Sequence, residues 1–325
     1  MLRDRLSGGC WDVPDGKDNG RKGTACRRAL SVSAQAGRGR AVKAVVTVPG
    51  KINLWLEVLG KRPDGYHEVS TLMLPVALFD RLELEPQAEG IRLECAHPLV
   101  PVDERNLIHR AAEAFFRETG WRMGLRVRLD KAVPVGAGMG GGSADAAAVL
   151  SYLNQMAPRA LSVAALHELA RSLGADVPFF LLKRPALATG IGDVLKPVLG
   201  LCRYPLVLIK PPFEVSAAWA YGSLKLTRGG SRIKIDTLLA CPHNPAACLE
   251  NDLEDAVSAR YPQIVAIKGW LRRNGAVGAL MTGSGPTVFG IFETMDHAAA
   301  VARAARREWA SCWCAATETL DEPAD

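Results

Sequence analysis

The stretch Pro134-Val135-Gly136-Ala137-Gly138-Met139-Gly140-Gly141-Gly142-Ser143-Ala144-Asp145 decides how the rest of the chain is read. Five glycines within seven residues strip side chains from a short loop. Such a backbone can turn its N–H groups toward an anion without Cβ clashes. The run Ala146-Ala147-Ala148-Val149-Leu150 then reads as a helix opening at the loop. A helix N-terminus adds unpaired N–H donors and the positive end of the helix dipole. Loop and helix together predict a phosphate cradle.

Known phosphate loops fit it poorly. Gly136, Gly138 and Gly141 satisfy GxGxxG. A dinucleotide fold, however, expects an acidic strand end about 20 residues on. Residues 155–172 read instead as a proline turn and a helix. Leu125, Val127 and Leu129 feed the loop in alternation, whereas a central parallel strand is apolar throughout. No Gly-Lys-Ser/Thr follows, and the HRD and DFG elements of protein kinases are missing. Glycines placed for tight packing are the bland alternative to a third type of phosphate loop.

Before the loop, 42–48, 52–58, 80–86 and 91–95 read as strands, with Ile52, Leu54, Leu56 and Val58 on one face. Asn106 reads as the cap of a helix to about Glu118. After it come helices near 143–156 and 162–173, the second ended by Gly174, and a hairpin around Gly190–Asp193. Leu206–Ile209 opens a second region. Helices are expected there near 215–225, 250–258 and 262–273, with strands at 277–282 and 287–292. A helix at 296–309 and a strand near 312–317 close the chain. That order predicts an antiparallel sheet with helices on one side.

The composition, 48% hydrophobic and 23% charged over 325 residues, is that of a soluble globular protein of one large or two ordinary domains. No apolar run suits a membrane span or secretory signal. The eight cysteines form no CxxC pair, which argues against zinc and for a reducing cytoplasm. Of the formal charge of +6, residues 1–40 supply five, with nine Lys/Arg against four Asp. The near-neutral remainder argues against a nucleic-acid-binding face. Residues 1–40 lack apolar periodicity and are expected to be a disordered extension.

Four further segments carry chemistry. Lys51 and Asn53 share a strand face, although a lone lysine there could simply reach solvent. Asp176, in Gly174-Ala175-Asp176-Val177-Pro178, is either a cap or turn residue or a general base kept charged by a lysine. Pro63-Asp64-Gly65-Tyr66-His67-Glu68 is a hairpin turn whose ring pair suits a nucleobase or sugar. Gly283-Ser284-Gly285-Pro286 is either a plain strand turn or a second phosphate cradle.

Taken in order, Pro49-Gly50-Lys51-Ile52-Asn53-Leu54, Pro134 to Ala148 and Met281-Thr282-Gly283-Ser284-Gly285-Pro286-Thr287-Val288-Phe289 resemble the three motifs of the GHMP kinase family. Lys61 to Glu68, Gly174 to Pro178 and Asn251-Asp252-Leu253-Glu254 resemble its members that phosphorylate CDP-methylerythritol in the non-mevalonate isoprenoid pathway. The likeness covers about residues 44–317. It implies an α+β, two-domain GHMP kinase fold. An ATP-binding domain like ribosomal protein S5 domain 2 would span 42–200, a ferredoxin-like domain 201–318, and a tail 319–325.

The resemblance also implies roles. Asp176 would take the proton of the acceptor's 2-hydroxyl, with Lys51 keeping it charged and Asn53 positioning that hydroxyl. His67 would hydrogen-bond the cytosine, with Tyr66 and Tyr221 stacking on it. Pro134, Gly136, Gly138, Met139, Gly140, Gly141, Gly142 and Ser143 would hold ATP phosphates, and Asn106 and Lys131 would lie toward the adenine. Mg²⁺ would bridge the β- and γ-phosphates, with Ser143 a candidate ligand. A monomer or weak homodimer is expected. Gly50 replaces the family's usual alanine, and Ala144 a frequent second serine. Another kinase of this fold, acting on mevalonate, homoserine or a sugar, is the alternative, and Tyr66-His67 speaks against it. Lys51 with Asp176 speaks against a non-catalytic nucleotide-binding module.

Overall fold

Val45 to Val58 is dense in aliphatic and β-branched residues, and it runs as one long strand, β1 (Ala44–Lys61), instead of the two expected. It turns at Pro63–Tyr66 into the antiparallel β2 (His67–Gln87), which begins well before the predicted 80–86. The computed structural model describes residues 42–224, 235–240 and 242–321, so the extension 1–40 lies outside the described residues. β3 (Ile91–Cys95), α1 (Leu107–Thr119), β4 (Gly124–Asp130), α2 (Gly141–Met156) and α3 (Val163–Leu173) follow. Next come α4 (Val177–Leu182), β5 (Ala186–Thr189) and β6 (Val194–Pro197). The sheet order is β3-β4-β2-β1, with β5 on the first half of β2 and β6 beyond it.

The second region holds β7 (Pro205–Lys210), α5 (Ala217–Gly222), α6 (Ile235–Ala240), β8 (Glu250–Asn251), α7 (Glu254–Arg260) and α8 (Gln263–Arg273). It ends with β9 (Gly278–Met281), β10 (Val288–Ile291), α9 (Met295–Glu308) and β11 (Trp313–Glu318). Its antiparallel sheet runs β11-β7-β10-β9. Alternation along β7 decides what each face covers. Val207 and Ile209 pack with Ile264, Ile267 and Leu271 of α8 and Val301 of α9. Leu206 and Leu208 pack with Ile52, Leu54, Leu72 and Leu74 of the first hairpin. Helices therefore lie on one side of this sheet and the β1–β2 hairpin on the other. β1 and β2 reach helices as well, because Val46, Val48, Leu82 and Leu84 share a core with α1 and α2.

Three sequence readings need correction. Residues 250–251 are a strand, not the start of a helix, and pair in parallel with Trp55 and Leu56 of β1. Residues 319–320, assigned above to the tail, are packed: Thr319 N donates to Tyr204 O at 3.0 Å and Leu320 N to Pro75 O at 2.8 Å. Finally, Ile52, Leu54, Leu56 and Val58 do not share a face. The pairing slips between Asn53 and Trp55, leaving Leu54 without a partner on β2. Such a bulge reverses the alternation beyond it. Leu56 is thereby placed on the side of Lys51 and Asn53, and all three line one cavity. A second slip between Val58 and Gly60 keeps Lys61 on that side.

Candidate active site

Two cavities meet at the glycine loop. The larger, about 630 Å³, is lined by Lys51, Asn53, Tyr66, His67, Asp176 and Tyr221, the six residues assigned above to catalysis and acceptor binding. The other, about 350 Å³, is lined by all ten residues assigned to the nucleotide, from Asn106 to Ser143. Gly138, Gly140 and Ser143 border both.

The loop's shape follows from its glycines at two positions. Gly138 has φ +74°, and a Cβ there would sit 2.6 Å from the carbonyl oxygen of Thr282. Gly140 has φ +69° and caps α2, and a Cβ there would sit 2.9 Å from the ring of Phe180. The helix thus begins at Gly141, two residues before the predicted start, inside the glycine run. β1 anchors the loop, since Lys51 N donates to Met139 O at 2.9 Å. The Met139 side chain is buried in the core, so only its backbone faces the cavity rim.

At the junction, Lys51 Nζ donates to Asn53 Oδ1 at 2.7 Å and lies 3.4 Å from Asp176 Oδ2. The lysine side chain is 5% exposed and the carboxylate 34%, so the acid opens to the cavity and the ammonium supports it from below. Asp176 occupies the N-cap position of α4, yet its side chain makes no capping bond. That α4 exists was not read from the sequence; Val177-Pro178-Phe179-Phe180 looks like a plain apolar stretch. Asn53 is held on both sides. Its Nδ2 donates to Thr71 Oγ1 at 2.8 Å, and its backbone N–H to Thr282 Oγ1 at 2.9 Å. Thr71 and Thr282 were missed. Thr71 carries a signal, alternating with Val69 and Met73 on the cavity side of β2.

In the larger cavity, the His67 ring stacks on Tyr221, with centroids 5.3 Å apart and planes 26° from parallel. Burial and the nearby Lys61 ammonium push His67 below its ordinary value, leaving a neutral imidazole at pH 7. Tyr66 is 61% exposed at the rim. Burial, then the charge of Asp176, raises the Tyr221 phenol well above its ordinary range, so it stays protonated.

On the nucleotide side the two polar residues are already engaged. Asn106 Oδ1 caps α1 by accepting from Ile108 N at 2.9 Å, and its Nδ2 donates to Pro101 O at 2.7 Å. The Lys131 ammonium lies between Asp80 and Asp145, 2.8 Å from the latter. Asp80 Oδ1 also accepts from Ala132 N at 2.7 Å and Val133 N at 2.8 Å. This buried triad fastens the entrance of the glycine loop to the first turn of α2. Two carboxylates share one ammonium there, and burial pushes Asp145 up to about 7 despite Lys131. Among the described residues, no group of three or more His, Cys, Asp or Glu could hold a metal ion. No helix among them is long and apolar enough to cross a membrane.

Gly283-Ser284-Gly285-Pro286, with a cis Gly285–Pro286 bond, joins β9 to β10 and lies directly against the glycine loop. Gly283 and Ser284 line the larger cavity.

Known proteins resemble this chain in sequence and fold. The GHMP kinases N terminal domain matches residues 106–184 and the GHMP kinases C terminal domain residues 242–311. The 4-diphosphocytidyl-2-C-methyl-D-erythritol kinase of Syntrophotalea carbinolica is 46% identical over 255 residues, covering 78% of this chain and 91% of its own. This chain belongs to the GHMP kinase family. The kinase of the same name from Pelotomaculum thermopropionicum is also 46% identical, over 79% of this GHMP kinase and 92% of its own chain. A crystal structure of 4-(cytidine 5'-diphospho)-2C-methyl-D-erythritol kinase matches with a TM-score of 0.72 at 38% identity, covering 85% of this chain and 99% of that one. The homoserine kinase of Cytophaga hutchinsonii shares the fold at 18% identity and a TM-score of 0.67, over 90% of this chain and 97% of its own.

Proposed function

We propose that this kinase transfers the γ-phosphoryl group of ATP to the 2-hydroxyl of 4-diphosphocytidyl-2-C-methyl-D-erythritol, giving the 2-phosphate and ADP. The reaction belongs to the non-mevalonate route to isoprenoid precursors. The observation that carries this is the Lys51–Asp176 pair, 3.4 Å apart, at the border of the cavity lined by the glycine loop and by His67 and Tyr221. Relatives of that name at 41–46% identity support the choice of acceptor.

Each residue has a part in the chemistry. A sugar hydroxyl is a poor nucleophile at neutral pH, and Asp176 accepts its proton as the bond to phosphorus forms. Lys51 fixes that carboxylate and draws the hydroxyl oxygen toward its ammonium. Asn53 holds Lys51 and the acceptor's alcohol end. Tyr66 and Tyr221 offer faces for the cytosine, and the neutral His67 ring offers a hydrogen-bonding edge. Loop N–H groups from Gly138 to Ser143 receive the phosphates. Gly138 and Gly140 keep the loop in this shape, because a Cβ there would meet Thr282 O or the Phe180 ring, and the helix N-terminus adds its dipole. Mg²⁺, when bound, neutralises phosphate charge, and the Ser143 hydroxyl at the start of α2 is the candidate protein ligand.

The test is direct. Purified protein is incubated with ATP·Mg²⁺ and, separately, CDP-methylerythritol, mevalonate and homoserine, and ADP and phosphorylated products are measured. Turnover of the cytidine compound alone is expected. Turnover of mevalonate or homoserine in its place overturns the assignment.

A further inference from the structure

Asn251-Asp252-Leu253-Glu254 touches no part of either cavity, yet its side chains reach both strands that build the site. Asn251 is buried and its carboxamide is fully committed. Nδ2 donates to Met281 O and to Gly283 O, each at 2.8 Å, while Oδ1 accepts from Leu253 N at 3.0 Å. One amide group thus bridges the carbonyls on either side of Thr282.

Thr282 is the residue that matters for the acceptor. Its hydroxyl accepts the backbone N–H of Asn53, and its carbonyl approaches Gly138 so closely that no Cβ fits there. The next residue, Gly283, is also closely confined. A Cβ on it would lie 3.0 Å from Gly138 O, 3.3 Å from Asn53 Oδ1 and 3.4 Å from Lys51 Nζ. The 282–283 backbone is therefore a spacer between the phosphate loop and the catalytic lysine.

Asp252 fastens the segment to β1 and Glu254 fastens it to β9. Asp252 N donates to Leu56 O at 2.9 Å, and Asp252 Oδ2 accepts from Val58 N at 2.7 Å, just past the Leu54 bulge. Glu254 Oε2 accepts from Met281 N at 2.8 Å, and its other oxygen pairs with Lys268.

From this geometry we infer that Asn251 is a positioning residue for phosphoryl transfer: through Thr282 and Gly283 it sets the spacing between the phosphate loop and the Lys51–Asn53 edge of the acceptor site. The inference rests on the kinase reading but not on the identity of the acceptor. In-line transfer is sensitive to such spacing, and a displacement of about 1 Å can cost 10²-fold in rate. Binding is less affected, because the nucleotide and acceptor contacts themselves stay in place.

Two variants and a control test this. Asn251→Ala removes the bridge. Asn251→Asp keeps its shape but turns an oxygen toward two carbonyls. Lys268→Met leaves the bridge intact while unpairing the buried Glu254, so it serves as a stability control. Rates are expressed per folded molecule, with the folded fraction read by circular dichroism under assay conditions. Both Asn251 variants are expected to lose about 10²-fold in kcat, with KM for ATP and for the acceptor each within about threefold. Lys268→Met is expected to melt earlier with kcat within threefold. Three results overturn the inference: Asn251 variants that keep kcat within threefold, a Lys268→Met loss of kcat that tracks its loss of stability, or Asn251 variants that do not fold at all. Wild-type protein idle on CDP-methylerythritol but active on another acceptor sinks the functional assignment alone, and the Asn251 comparison is then run on that acceptor.

Discussion

Asp176 has the cap position of a helix and does not use it. A carboxylate free of that duty and 3.4 Å from a buried ammonium is available for proton transfer. Asp176→Asn should therefore lower kcat by about 10²- to 10⁴-fold while KM for ATP changes less than threefold. Steady-state kinetics on the purified variant decide it, and near-normal turnover would remove the base from the mechanism. Tyr221→Ala should act on the acceptor alone. Loss of a stacking face costs roughly 1–3 kcal/mol per base, or about 5- to 150-fold in acceptor KM. Asp145 makes a prediction of a different kind. Its folded-state value of about 7 lies above the ordinary 3.8, so the folded protein holds a proton that the unfolded chain releases. Its contribution to stability falls as pH rises between those two values. Asp145→Asn removes that penalty. Its stability relative to wild type should improve as the pH is raised from 5 to 8. A stability difference between the two proteins, read from urea unfolding, that is the same at both pH values would contradict this.

Among the elements, the glycine loop was the easiest to read and the strands around it the hardest. Five glycines ahead of an alanine-rich helix have few physical readings, and Asn106 caps its helix where expected. β2 was half hidden because its first part is buried on both faces, so the period-two signal is lost. α4 was missed because six apolar residues are too few to show a helical period. The bulge at Leu54 leaves no mark in composition at all. Lys51 and Asn53 were legible only because they precede it; Thr282 was not, since a hydroxyl becomes informative only once its partner is known. Gly138→Ala gives the loop's own test. A positive φ and a 2.6 Å approach to a backbone carbonyl together should cost at least about 1–3 kcal/mol. The thermal melt should shift down and KM for ATP should rise. A variant that melts and binds ATP like wild type would mean that the two loops are not in contact.

At the scale of the whole molecule, the active site belongs to neither sheet. Lys51 and Asn53 come from the first, Thr282 and Gly283 from the turn at the edge of the second, and one hydroxyl joins them. Thr282→Val keeps the volume and leaves the buried N–H of Asn53 without an acceptor, at a cost of about 1–3 kcal/mol. Thr282→Ser should recover most of it, as denaturant unfolding would register; a loss in Thr282→Ser with none in Thr282→Val would mean that the methyl group, not the hydroxyl, is what counts. The unpaired Leu54 has a longer reach than any of these contacts. Because one extra residue exchanges inside for outside, β1 cannot change length there by a single codon without everting one of its halves. Either Lys51 leaves the cavity or Leu56 does. Only paired insertions or deletions preserve the parity, so homologous strands in this lineage should differ there by even numbers or not at all.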